Sequence, residues 1–100
     1  MNMENFNELI QSSQPVLVDF FAEWCKPYQM MKPTLLDVAE RIGSEAKIIK
    51  VDVDKEKELA ERFRIQSVPT LIIFKKGKQL WRQSGVISAL ALTKLLKDYQ

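Results

Sequence analysis

Two periods of apolar spacing run along this chain, and the switches between them divide it into a short series of elements. Phe6, Leu9 and Ile10, three and four places apart, put one apolar face on a short helix over 4–11. Asn2 or Asn5 is placed to cap it, and Glu8 stands three residues after Asn5 as in a capping pair. Ser12-Ser13-Gln14-Pro15 breaks the pattern. The apolar run 16–22, interrupted only by Asp19, then reads as a buried strand. Met31, Leu35, Val38, Ala39 and Ile42 form the stripe of an amphipathic helix over 26–42. Pro33 lies inside it and predicts a kink, because it removes a backbone hydrogen bond. Gly43 is a suitable stop. Residues 46–53, rich in β-branched side chains, make a second strand, and strand–helix–strand at this spacing predicts a right-handed crossover with parallel strands.

The second half reads as simply. Asp54 is placed to cap a helix over 55–64 with Leu59 and Phe63 inward and Glu58 pairing with Arg62 one turn away. Two short strands, 70–75 and 79–84, flank Lys76-Gly77 and predict a β-hairpin. Ser88 then caps a last helix whose buried face carries Leu92, Leu95, Leu96 and Tyr99. The order predicts an α/β fold in three layers, four helices covering both faces of a small mixed sheet in a single domain over 1–100.

Composition removes function classes more than it adds them. One hundred residues leave room for one core, and 46% hydrophobic residues with three glycines describe a globule rather than a disordered tail. A formal charge of +2, acids and bases interspersed, leaves no footprint for nucleic acid or an anionic membrane. Lys75-Lys76-Gly77-Lys78 reads as a solvated hairpin tip. No apolar stretch approaches the roughly 20 residues of a membrane span. The start, Met1-Asn2-Met3-Glu4-Asn5, is polar and acidic where a signal peptide is basic and then apolar. With one cysteine there is no internal disulfide, which fits a reducing compartment and makes the cytoplasm the expected location. Without histidine, a cysteine–histidine hydrolase site and a histidine metal cluster are excluded. No P-loop and no GxGxxG is present, so neither metal nor cofactor is expected.

The candidate chemistry centres on Cys25, which falls where the first strand ends and the helix 26–42 begins. A helix N-terminus presents unpaired N–H groups and a partial positive charge, and a thiolate there is a nucleophile. Lys26 adds a full positive charge, and Pro27 suits the first helical turn. The alternative is a small apolar filler. Asp19, set among Val18, Phe20 and Phe21, is expected to be buried and raised toward neutrality. Lys50 lies at the matching depth of the neighbouring strand, where it either reaches Asp19 or extends to solvent. Ser67-Val68-Pro69-Thr70 leads directly into a strand. A cis proline there would point to a fixed role, although trans is commoner. Trp24 is a candidate cover for a binding surface, whereas Trp81 reads as structural.

Taken together, these residues resemble the thioredoxin family over nearly the whole chain, from about Phe6 to the C-terminus. The likeness rests on Val18-Asp19-Phe20-Phe21-Ala22-Glu23-Trp24-Cys25, on Pro33, on Val68-Pro69-Thr70 and on Gly85. It implies that Cys25 is the attacking thiol, that Pro69 is cis and packed against it, and that Asp19 is the buried carboxylate with Lys50 as partner. Trp24, Lys26, Pro27, Val68, Pro69, Thr70, Gly85 and Val86 would border a groove for an extended substrate segment. Two departures stand out. The family's Trp-Cys-x-Pro-Cys is here Trp-Cys-Lys-Pro-Tyr, with Tyr28 at the place of the second cysteine. Dithiol reduction needs that second thiol to cut the mixed disulfide formed by the first. The bulk of Tyr28 is also expected to crowd the groove. Few residues precede the first helix, so the family's opening edge strand is expected to be missing. The sheet then has four strands rather than five, with Lys47 and Lys50 guarding an exposed edge at 46–53.

Two functions follow from the resemblance. One is a thiol–disulfide oxidoreductase in which Cys25 forms mixed disulfides with partner proteins, dithiol turnover being lost or dependent on an external thiol. Its partners would be disulfide-containing or thiol proteins, with a thioredoxin reductase or a low-molecular-weight thiol as reductant. The expected state is a monomer, with a Cys25-linked dimer as an oxidative product. The other is a non-catalytic module that binds an extended peptide beside Pro69.

Overall fold

Strand β1 (Val16–Phe21) is buried along its whole length because it has a neighbour on each side and helices above and below. In the computed structural model, which describes residues 1–100, it pairs in parallel with β2 (Lys47–Asp52) and antiparallel with β3 (Thr70–Lys75). The hairpin partner of β3 is β4 (Lys78–Ser84), so the order across the sheet is β2-β1-β3-β4. β2 is an open edge, with Lys47 and Lys50 exposed on it. Lys76 and Gly77 turn the hairpin with φ of 52° and 80°, the left-handed pair that a tight two-residue turn requires.

Alternation along the strands sorts side chains onto the two faces. Leu17, Leu71 and Ile73 meet Met31, Leu35, Val38 and Ile42 of α2 (Lys26–Ile42) and Leu92 and Leu96 of α4 (Ala89–Asp98). Val16, Val18, Phe20, Ile72 and Phe74 meet Phe6 and Ile10 of α1 (Met3–Ile10) and Leu59 of α3 (Lys57–Arg62). Two layers of helix thus seal a four-stranded mixed sheet. Trp81 packs against the first cluster.

Local signals explain most of the element ends. Asn2 caps α1, accepting from the Asn5 N–H at 2.8 Å, so Asn5 is not the cap. Ser88 caps α4 through the Ala91 N–H. Gly43, at φ 55°, closes α2 and opens a 3-10 turn over Gly43–Glu45. α2 continues through Pro33 as one helical span.

Three expectations are corrected. Asp54 does not cap α3, which starts only at Lys57; the Asp52 carboxylate accepts from the Asp54 and Lys55 N–H groups instead and holds a turn ahead of the helix. Glu58 and Arg62 do not pair, because the Arg62 guanidinium lies over the Phe63 ring at 4.8 Å and donates to Asn7. Ala39 is exposed: the buried stripe of α2 is Tyr28, Met31, Leu35, Val38 and Ile42, and residue 39 lies one step round from it.

Candidate functional site

β1 ends at Phe21 and the chain turns through 22–24, so that Cys25 becomes the N-cap of α2, with Pro27 in the first turn. Its Sγ lies 3.5 Å from the carbonyl oxygen of Val68, to which the thiol donates. The Val68–Pro69 peptide bond is cis. Cys25 is 7% exposed, yet it is part of the wall of a cleft of about 280 Å³ that also includes Trp24, Val53, Ile65, Gln66, Ser67 and Val68. Sulfur, helix N-terminus and an accessible stretch of backbone therefore share one small space. The helix N-terminus brings partial positive charge to that space, and the cleft leaves open room beside the sulfur. Larger depressions elsewhere are walled mainly by surface charges and hold no thiol.

Trp24 is 73% exposed, an unusual position for the largest side chain in a protein. Its indole Nε1 donates to the Asp54 carboxylate at 2.9 Å, which pins the ring beside the cleft. Sequence reading assigned Asp54 to helix capping and missed this role. The signal was the acidic turn Asp52-Val53-Asp54, read in isolation from the loop it faces. Val53, Ile65 and Gln66 of the cleft wall were missed for a similar reason, since nothing local marks them.

Tyr28 does not crowd the groove. It is 5% exposed and lies in a cluster with Phe21, Ala22 and Cys25. Its ring stacks on Phe21 with centroids 4.4 Å apart and planes 19° from parallel. The ammonium groups of Lys32 and Lys50 lie 4.9 and 5.1 Å from the Tyr28 ring centroid. The buried cluster around Cys25 thus holds an aromatic ring with no thiol chemistry at position 28.

Asp19 is fully buried, and neither carboxylate oxygen has a hydrogen-bond partner. Burial pushes its carboxyl up from 3.8 to about 6, with the Lys50 ammonium pulling the other way. Lys50 sits opposite Asp19 in the β1–β2 register but forms no ion pair with it. Its Nζ donates to the Tyr28 hydroxyl at 3.3 Å instead. The expected contact is therefore replaced by a longer-range attraction: Tyr28 offers the ammonium an acceptor near the surface, so the ammonium need not be buried.

The remaining predicted residues gather at the same end of the sheet. Thr70 is buried and its hydroxyl donates to the Ser67 carbonyl at 2.7 Å. Gly85 donates its N–H to the Pro69 carbonyl at 2.8 Å, bringing the exposed Val86 beside the proline turn. Lys26 and Pro27 are exposed on the first turn of α2. No three histidine, cysteine or acidic side chains converge as a metal site would require.

Comparison with known proteins agrees with this geometry. The Thioredoxin family model matches residues 1–98. The chain is 42% identical over 95 residues to thioredoxin Y, chloroplastic, of Oryza sativa, covering 94% of this chain but 56% of that one. It is 41% identical over 100 residues to thioredoxin of Chlamydia trachomatis, covering all of this chain and 96% of that protein. Among solved structures, a mutant thioredoxin from Halobacterium salinarum superposes with a TM-score of 0.89 at 32% identity, covering 99% of this chain and 86% of the other.

Proposed function

We propose that this chain, which belongs to the thioredoxin family of redox proteins, exchanges thiols and disulfides through the single sulfur of Cys25. The observation that carries the reading is the placement of Cys25 Sγ at the head of α2, 3.5 Å from the Val68 carbonyl and in the wall of a cleft. The thiolate attacks one sulfur of a partner's disulfide. A new bond from Sγ forms, the partner's own S–S bond breaks, and its other sulfur leaves as a thiolate that takes up a proton. With a tyrosine at position 28, the mixed disulfide has no exit within the chain. A second, external thiol attacks it, releases Cys25 as a thiol and remains joined to the partner's sulfur.

Asp19, Lys50 and Tyr28 support the site rather than react in it on this reading. Trp24, Lys26, Pro27, Val68, Pro69, Thr70, Gly85 and Val86 border the surface that meets the partner. The partners are disulfide-containing proteins, the reductant is a reductase or a low-molecular-weight thiol, and the setting is the cytoplasm, where a lone thiol stays reduced. The chain works as a monomer.

The test is capture of a disulfide-bonded peptide, read by mass spectrometry as a mixed disulfide, together with reductase-coupled reduction of insulin. Capture is expected for the parent chain and absent for Cys25→Ser. Turnover is expected to be slow without added thiol and to rise in Tyr28→Cys. Undiminished peptide retention by Cys25→Ser would overturn the covalent reading and leave a peptide-binding module in its place.

A further inference from the structure

The wall of the cleft opposite Cys25 comes from the loop 63–68, whose Phe63 and Ile65 pack on the core while Arg64, Gln66 and Ser67 are exposed. Its shape begins with a backbone reversal at Arg64, which has φ of 51°, a left-handed conformation costly for a residue with a Cβ. The reversal lets the Ile65 N–H bond the Ala60 carbonyl and sends the chain back past Cys25. It also turns the carbonyls of Phe63 and Arg64 outward, beyond the reach of the helical ladder. One side chain meets both of them. Arg82, on β4, donates through Nη1 to the Phe63 carbonyl and through Nη2 to the Arg64 carbonyl, the latter at 3.1 Å.

Alternation along β4 puts Ser84 on the same face as Arg82. The Ser84 hydroxyl lies 3.0 Å from that of Thr70, which in turn donates to Ser67. β4 therefore grips the loop at both ends, two residues before the cleft wall begins and again just before the proline turn. Ile65 and Gln66 stand between the two grips, Ser67 is held by the second and Val68 follows it, all four being cleft residues. A planar guanidinium bridging two adjacent carbonyls fixes direction as well as distance, which a point charge does not.

We propose that Arg82 is a positioning residue of the thiol site: it clamps the reversal at 63–64 so that the loop presents its backbone along the cleft beside Cys25. The claim rests on the thiol–disulfide reading for its chemical consequence. Reagents that touch only the sulfur do not need the loop, whereas a peptide disulfide lying along residues 65–68 does. Misplacing such a wall by a fraction of an ångström costs on the order of tenfold in rate.

The experiment compares Arg82→Met and Arg82→Lys with the parent chain, each first checked by circular dichroism at a temperature well below its transition. The second-order rate of peptide-disulfide capture is expected to fall about tenfold in Arg82→Met. Alkylation of Cys25 by iodoacetamide should stay within about twofold of the parent, and Arg82→Lys should recover part of the capture rate. Amide exchange at Ile65 is expected to quicken in Arg82→Met, a readout independent of any thiol chemistry. Unchanged exchange overturns the clamp whatever the protein reacts with. Quickened exchange with capture and alkylation falling together, or with capture unmoved, overturns the link to substrate presentation. A parent chain that captures no peptide at all would instead refute the proposed function, and the exchange result would still decide the clamp.

Discussion

Tyr28 and Phe21 stack face to face, 4.4 Å between ring centroids, in one packed cluster with the only sulfhydryl of the chain. The pair joins the end of β1 to the first turn of α2, so it braces the junction that aims Cys25. Truncating Tyr28 to alanine leaves a cavity there and is expected to cost about 3–5 kcal/mol, read from urea unfolding. Tyr28→Phe keeps the stack and gives up only the hydrogen bond from an exposed lysine, a loss below about 1 kcal/mol. Equal losses in the two variants would show that the hydroxyl, and not the ring, is what matters.

Asp19 makes the fold sensitive to pH in a direction opposite to that of a salt-bridged carboxylate. Its carboxyl titrates near 6 in the folded chain and near 3.8 when unfolded, so the folded state holds the proton more tightly. Stability from this group is greatest below pH 4, falls as pH rises through 4–6, and is lost in full above that window. The difference is about 3 kcal/mol at most, from 1.36 kcal/mol per pH unit. Urea midpoints for the parent chain should therefore drop between pH 4.5 and 7.5, and Asp19→Asn should flatten that slope. A parent and variant with parallel pH profiles would remove Asp19 as the cause.

The indole of Trp24 is held at the cleft by one carboxylate rather than by burial. Asp54→Ala is expected to free the ring at a stability cost within about 1 kcal/mol, since the bond is exposed. Fluorescence anisotropy of Trp24, measured in a Trp81→Phe background, should fall on the nanosecond timescale. Peptide capture should slow several-fold while iodoacetamide alkylation does not. Unchanged anisotropy would mean that packing, not Asp54, orients the ring.

The β3–β4 turn supplies a prediction far from the site. Gly77 has φ of 80°, and a Cβ there would lie 2.5 Å from Nε2 of Gln11. The glutamine can move away, so the main cost of Gly77→Ala is the left-handed backbone, about 1–2 kcal/mol. Pairing the change with Gln11→Ala should recover little of it. Full recovery would show that crowding dominates.

How far a residue could be read from the chain depended on what its role requires. The placement of Cys25 was legible because it needs only a strand end followed by a helix start, both local. Asp19 was legible because an acid inside an apolar run has few places to go. Asp54 was misread as a cap: a carboxylate at a turn serves a helix or an indole equally well, and the indole is thirty residues away. Ala39 was misassigned because an alanine on a helix boundary carries no strong preference for either side. Lys50 was half legible: its register with Asp19 was readable, but whether its ammonium reached Asp19 or solvent was left open, since a flexible ammonium seeks the nearest acceptor with solvent beside it.

The order of elements, the parallel crossover, the hairpin and the place of Cys25 at the head of a helix follow from spacing and residue type alone, because backbone geometry responds to neighbours a few positions apart. Which side chains close around the sulfur is a different matter. The bridge from Arg82 to the turn at 63–64, the stack beside Cys25 and the bond from Trp24 to Asp54 join segments distant in sequence. Such contacts exist only once the sheet has set the distance between them, and the folded structure alone decides them.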